Sequence, residues 1–162
     1  MTDRRRMLAT LAGGILLARL PGGVARAEGG QEAELVRLLN ELRRARTLNP
    51  LAEDVALIRA AEGHAAELAR RGELDHVSED GSSLGARIAR TGFRYRLAAE
   101  NLASGPSSAR EVFDLWLRSD THRHNMLRPR LTHCGVGRVQ VRAPGILGAK
   151  KSWWVLVLAE RL

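Results

Sequence analysis

Trp153-Trp154-Val155-Leu156-Val157-Leu158-Ala159 is a continuous apolar run of seven residues close to the end of the chain. A strand with one wet face alternates apolar and polar side chains, and this run does not alternate. It reads as a central strand covered on both faces. Two covers are then needed, and the other segments must supply them. The fold class expected is therefore α+β, a three-layer α-β-α sandwich in which helices enclose a small antiparallel sheet.

Working outward, Gly135 to Val141 sets Val136, Val139 and Val141 among polar or glycine positions, as a second strand would, and Ala143-Pro144-Gly145 begins a loop. Leu97-Ala98-Ala99-Glu100-Asn101-Leu102-Ala103 is a short strand candidate. After it, Ser107 or Ser108 is the expected N-cap of a helix with apolar positions Val112, Phe113, Leu115 and Trp116. Further upstream, Leu35, Leu38, Leu39 and Leu42 form a stripe that predicts a helix from about Gln31 to Arg46. Leu57, Ala61, Ala65 and Leu68 predict another from about Ala52 to Arg71, with Gly72 to end it. Between these helices and the first strand, residues 73–95 read as a long loop holding a short helix around Ser83–Arg90.

The chain has 162 residues with 26 Lys plus Arg, 18 Asp plus Glu, five His and one Cys. One Cys excludes a disulfide-stapled mini-domain and a four-Cys zinc ribbon. The formal charge of +8 is unevenly placed, because residues 1–27 hold five Arg against one Asp and so carry half of it. The remaining arginines are scattered among acids, and aromatics are only 4% of the chain. A nucleic-acid partner would want a basic stripe and stacking aromatics, so none is expected.

Residues 1–27 read as an export signal. Arg4-Arg5-Arg6 is a positive start, Met7 to Leu17 is a short apolar core, and Ala25-Arg26-Ala27 offers small residues for cleavage after Ala27. The apolar core is about half the ~20 residues that span a bilayer, and Arg19 and Pro21 close behind it weigh against an uncleaved anchor. Arg4-Arg5-Arg6-Met7-Leu8 also resembles a twin-arginine signal. Residues 28–162 are then one secreted or periplasmic domain, not membrane-spanning after cleavage. Cys134 reads as a small buried hydrophobe rather than a reactive thiol.

The polar candidates for chemistry are His64, His76, Glu100, Asn101, His122, His124 and His133. His76 sits in the loop sequence Leu74-Asp75-His76-Val77-Ser78, a place from which a rigid scaffold commonly presents functional groups. Glu100 stands between Ala98-Ala99 and Leu102-Ala103, so its carboxylate needs compensating partners or a raised pKa. His122 follows a helix end. Two imidazoles and a carboxylate can hold a divalent ion, or they can form a hydrogen-bonded cluster tying loop, strand and helix together. Spacing leaves both open. His64 falls on the buried stripe of the second helix and reads as a structural histidine. His124 pairs with His122 only if that segment is extended, since i and i+2 diverge on a helix. No Gly-x-Ser-x-Gly, His-Glu-x-x-His or phosphate-binding glycine loop is present, so no catalytic residue is assigned.

Six segments in order give the chain a family resemblance. They are Leu35-x-x-Leu38-Leu39-Asn40-x-x-Arg43; Ala60-Ala61-x-x-His64-Ala65; Asp75-His76-Val77-Ser78-x-x-Gly81; Glu100-Asn101-Leu102-Ala103-x-Gly105; Trp116-x-x-Ser119-x-x-His122-Arg123-x-Asn125-Met126-Leu127; and Gly135-Val136-Gly137 with Trp153-Trp154-Val155. Together they resemble the CAP superfamily (cysteine-rich secretory proteins, antigen 5 and pathogenesis-related 1), in its secreted bacterial branch. The resemblance implies an α-β-α sandwich with a cleft where His76, Glu100 and His122 converge, able in some members to hold zinc or another divalent cation. Asn101, Ser119 and Asp120 are the supporting residues it implies. Eukaryotic members often carry a second acid where this chain has Ser119, with Asp120 one residue further, which puts a tight metal site in question. The function expected is non-catalytic binding of a lipid, an envelope component or a protein partner through that cleft. The alternative is a metal-dependent hydrolase using His76, Glu100 and His122.

Overall fold

A computed structural model describes residues 30–142 and 150–162. The expected signal at 1–27 and the expected loop start at Ala143-Pro144-Gly145 lie outside the described residues. In chain order the elements are α1 (Gln31–Ala45), β1 (Ala52–Glu53), α2 (Val55–Arg71), α3 (Leu84–Arg90), β2 (Tyr95–Gly105), α4 (Ala109–Arg118), α5 (Asp120–Met126), β3 (His133–Arg142) and β4 (Lys150–Arg161).

The strand order is β1-β3-β4-β2. β4 runs antiparallel to both long neighbours, and the two-residue β1 adds a parallel edge to β3. Every residue from Ser152 to Ala159 is buried. Strand alternation sends Trp154, Leu156 and Leu158 into a core shared with α1, α4 and α5. It sends Trp153, Val155, Val157 and Ala159 into a second core under α2 and α3. The α+β sandwich expected from the apolar run is the fold, and β4 is its centre.

Local chemistry sets the helix limits. Asp54 caps α2 by accepting from the Ala56 amide at 2.8 Å, so α2 begins at Val55 and not at Ala52. The preceding residues instead pair with His133 and Cys134 of β3. Gly72, at φ 77°, ends α2 in the left-handed conformation that only glycine adopts cheaply. Ser108 caps α4, and Glu111 reaches back to complete a capping box. Leu115, counted above among the apolar positions of α4, is 40% exposed and faces solvent. The strand forecast at 97–103 extends to Tyr95–Gly105 because its whole length pairs with β4.

Two side chains of α1 act at a distance. Asn40 exchanges both hydrogen bonds with the Leu51 backbone. The fully buried Arg43 donates to the carbonyls of Asn49, Met126, Arg128 and Leu131, fixing the segment that follows α5. Desolvation lowers the Arg43 pKa.

Gly135 and Gly137 explain how α2 can lie so close to β3. A Cβ on Gly137 would stand 2.3 Å from the Ala61 carbonyl carbon, and one on Gly135 would stand 2.2 Å from that of Leu57. Both clashes are with helix backbone, which cannot move aside like a flexible side chain. We predict that Gly137→Ala destabilises the fold by about 3 kcal/mol or more, above most overpacking substitutions. Gly63→Ala, at an open position within the same helix, should stabilise by about 0.5–1 kcal/mol. Denaturant unfolding of the two variants checks both signs.

Candidate functional site

Glu100 lies on the α2/α3 side of β2, and its side chain is 2% exposed. Each of its oxygens has a partner. Oε1 accepts from Nδ1–H of His76 at 2.8 Å, and Oε2 accepts from the Arg87 guanidinium at 2.7 Å. Two fixed donors thus take the place of the water that a buried carboxylate loses. Arg87, itself buried, also donates to the His76 carbonyl, the Ser78 hydroxyl and the Ser82 carbonyl. The sequence reading missed Arg87. Its one available signal was a helical spacing that puts it on the inner face of α3 beside Ile88.

The loop that presents His76 is fastened at several points. His64 is buried and bonds the Asp75 carbonyl through Nε2 at 2.9 Å, so α2 holds the residue next to His76. Asp75 Oδ1 accepts from the Val77 amide, and Asp80 Oδ1 accepts from the Ser82 amide. Arg71 donates to the Val77 carbonyl. Ser83 then caps α3, accepting from the Ala86 amide.

α5 forms the opposite wall. Asn101, on the α4/α5 side of β2, donates to the His122 carbonyl at 3.1 Å and accepts from Nδ2 of the Asn125 side chain at 3.0 Å. Asn125 also reaches the Glu100 carbonyl on this edge strand. The His122 ring leans on Trp116, 6.4 Å between centroids, and its Nδ1 is buried with no hydrogen-bond partner. Because α5 is helical, His124 diverges from His122 and is exposed. Asp120 points outward and pairs with Arg123, and neither it nor Ser119 lines the cleft. His133 stands apart, edge-on to Phe93, and Cys134 is buried in the core.

His76, Glu100 and His122 line one cleft of about 380 Å³ with Val77, Thr121 and Asn125. A larger cavity of about 460 Å³ lies between α2 and the turn at 78–82. Most of its rim charges are already paired, Arg70 with Glu79 and Arg90 with Asp80, and it holds none of His76, Glu100 and His122, so the smaller cleft is the better candidate site. The cleft residues do not fit a closed metal site. Both oxygens of Glu100 are spent on His76 and Arg87, and the guanidinium puts a positive charge beside them. Among the described residues no group of three His, Cys, Asp or Glu side chains is placed to hold an ion.

The CAP family, described as the cysteine-rich secretory protein family, matches residues 36–157, three quarters of the chain. This chain belongs to the CAP family. The uncharacterised protein YkwD of Bacillus subtilis is 34% identical over 109 residues, which is 67% of this chain but 42% of that protein. The chain thus spans less than half the length of this curated relative. Among solved structures, an extracellular SCP-domain protein of Bacillus anthracis superposes with a TM-score of 0.71 at 24% identity, over 87% of this chain and 45% of that one. An outer surface protein of Borrelia burgdorferi gives 0.68 at 23%, over 80% and 92%. At those identities the two structures speak for the CAP fold alone.

The cleft's electrostatics give its histidines opposite behaviour. The Glu100 hydrogen bond raises the His76 pKa, whereas burial lowers that of His122, helped by the nearby His76 charge. Burial also lowers His64. In a pH titration followed by NMR, His76 should therefore titrate above the ordinary value of about 6.5 and His122 below it. The stability contribution of His76 is complete below about pH 6.5 and fades as pH rises through its folded pKa. Those of His64 and His122 run the other way, complete above about pH 6.5 and lost as pH falls through their folded values. Reversed order of His76 and His122 would contradict the assignment.

Proposed function

We propose that this CAP-domain protein is exported and works outside the cytoplasm as a non-catalytic binder, taking a lipid, an envelope component or a protein segment in the His76/Glu100/His122 cleft. One observation carries the reading. Among the described residues, the only carboxylate lining the cleft has both oxygens engaged, so it serves to orient His76 and not as a free base. Ser83, a hydroxyl on the same wall, is occupied with capping α3. What remains available to a ligand is the exposed imidazole of His76, the edge of His122, the hydroxyl of Thr121, and the apolar surfaces of Val77 and Leu84. Such a mixture of a few polar groups on apolar walls suits orienting a ligand, not breaking a bond in it. An extracellular site is supported by the expected leader and by the descriptions of the Bacillus anthracis and Borrelia burgdorferi proteins as extracellular and outer surface.

The test is NMR titration with envelope lipids and cell-wall fragments. The ligand should shift the resonances of His76, Val77 and His122, and His76→Ala should weaken its binding about tenfold or more. Shifts confined to other surfaces, or undiminished binding by His76→Ala, would refute the reading.

A further inference from the structure

The larger cavity, between α2 and the turn at 78–82, has the makings of a second site. Where α2 lines it, the residues include Ala60 and Gly63. Glycine inside a helix destabilises it relative to alanine, and a close-packed neighbour is a common reason to keep one. Gly135 and Gly137 have such a reason in their strand; Gly63 has none, because a Cβ there would meet nothing within 4 Å. What its missing side chain preserves is open space. The volume of about 460 Å³ falls within the ~300–1,000 Å³ of small-molecule sites.

Two buried side chains that line this cavity carry unused hydrogen-bonding atoms. Arg87 gives its terminal nitrogens to Glu100 and the loop, yet its buried Nε has no partner among the described residues. His64 meets the Asp75 carbonyl through Nε2, and a carbonyl only accepts, so Nε2 carries the proton. Burial lowers the His64 pKa, which leaves the ring neutral at pH 7 and Nδ1 with a lone pair. That Nδ1 is also unpartnered, and the Glu67 carboxylate oxygen 3.7 Å from it is another acceptor. One atom therefore needs an acceptor and the other needs a donor.

The two side chains hold successive carbonyls, those of Asp75 and His76, so their unused atoms belong to one neighbourhood. A hydroxyl supplies donor and acceptor from a single oxygen. A trans peptide group supplies them from opposite edges of its plane and suits the pair less well. On the exposed rim, Arg59 has no carboxylate paired with it among the described residues. The other rim charges form the pairs Arg70–Glu79 and Arg90–Asp80, each more than half exposed, and such pairs are weak enough to part for a ligand.

We propose that this cavity binds an acidic sugar, whose hydroxyls meet His64 Nδ1 and Arg87 Nε and whose carboxylate or phosphate meets Arg59. Both features are required. A bare anion leaves Nδ1 without a donor, and a neutral sugar leaves Arg59 unpaired. Arg87 then serves two places, holding Glu100 through Nη2 and a sugar hydroxyl through Nε. The site is independent of what the His76 cleft takes.

The experiment is NMR titration of the full chain with glucuronate, glucose 6-phosphate, glucose and inorganic phosphate. The acidic sugars should shift the amides of Gly63, Ser82 and Thr91 and bind about tenfold tighter, or more, than glucose or phosphate. Binding of glucuronate alone assigns a carboxylate sugar and of glucose 6-phosphate alone a phosphorylated one; either supports the proposal. Arg59→Gln should weaken binding about tenfold. Gly63→Leu, which fills the cavity from the helix, should abolish binding without lowering the melting temperature. Arg44→Gln, which removes an exposed cation of α1, should leave binding within about twofold. Inorganic phosphate or glucose binding as tightly as the acidic sugars would overturn the proposal. So would absence of shifts with both acidic sugars, or binding that survives Gly63→Leu.

Discussion

A single buried carboxylate organises one half of this molecule. Glu100 is buried in a strand among Ala98, Ala99, Leu102 and Ala103, and a charge so placed is tolerated only when fixed donors replace water. Arg87 and His76 are those donors, and they come from different segments, the short helix α3 and the loop before it. Satisfying one strand residue therefore determines where α3 lies and how the loop at 75–83 is drawn against the sheet. The cleft is a consequence of that arrangement. It forms between the loop pulled in by Glu100 and the helix α5 pulled in by the next residue, Asn101.

The two adjacent residues divide the work because a strand sends successive side chains to opposite faces. Glu100 reaches the α2/α3 side and Asn101 the α4/α5 side, so an edge strand connects both helical layers at one point. Farther out, His64 steadies Asp75, and Arg43 steadies the segment after α5. These contacts hold the walls in register. Close packing of α2 on Gly135 and Gly137 supplies the rigid base beneath them.

Much of the fold was legible in the sequence because its signals are strong and local. The unbroken run at 153–159 has one comfortable environment, the middle of a sandwich, and that is where β4 lies. Helix stripes and the caps at Ser108 and Gly72 act within a turn or two of the chain, so they too could be read directly. Less legible was the start of α2, where β1 pairs with β3 some 80 residues later in preference to extending the helix. For the site, the resemblance named His76, Glu100 and His122, and the structure sets them around one cleft. Arg87 was not legible, since one arginine among many gives no sign that its partner is a buried carboxylate on another element.

The most direct test of the account is a double-mutant cycle on the buried pair, with Arg87→Met, Glu100→Gln and the double variant unfolded in denaturant. Removing one partner of a buried ion pair leaves an uncompensated group, so each single change should cost about 3–5 kcal/mol. The double variant should cost far less than the sum. Costs that add to within about 0.5 kcal/mol would mean the two side chains act independently, and Glu100 would not be the constraint described.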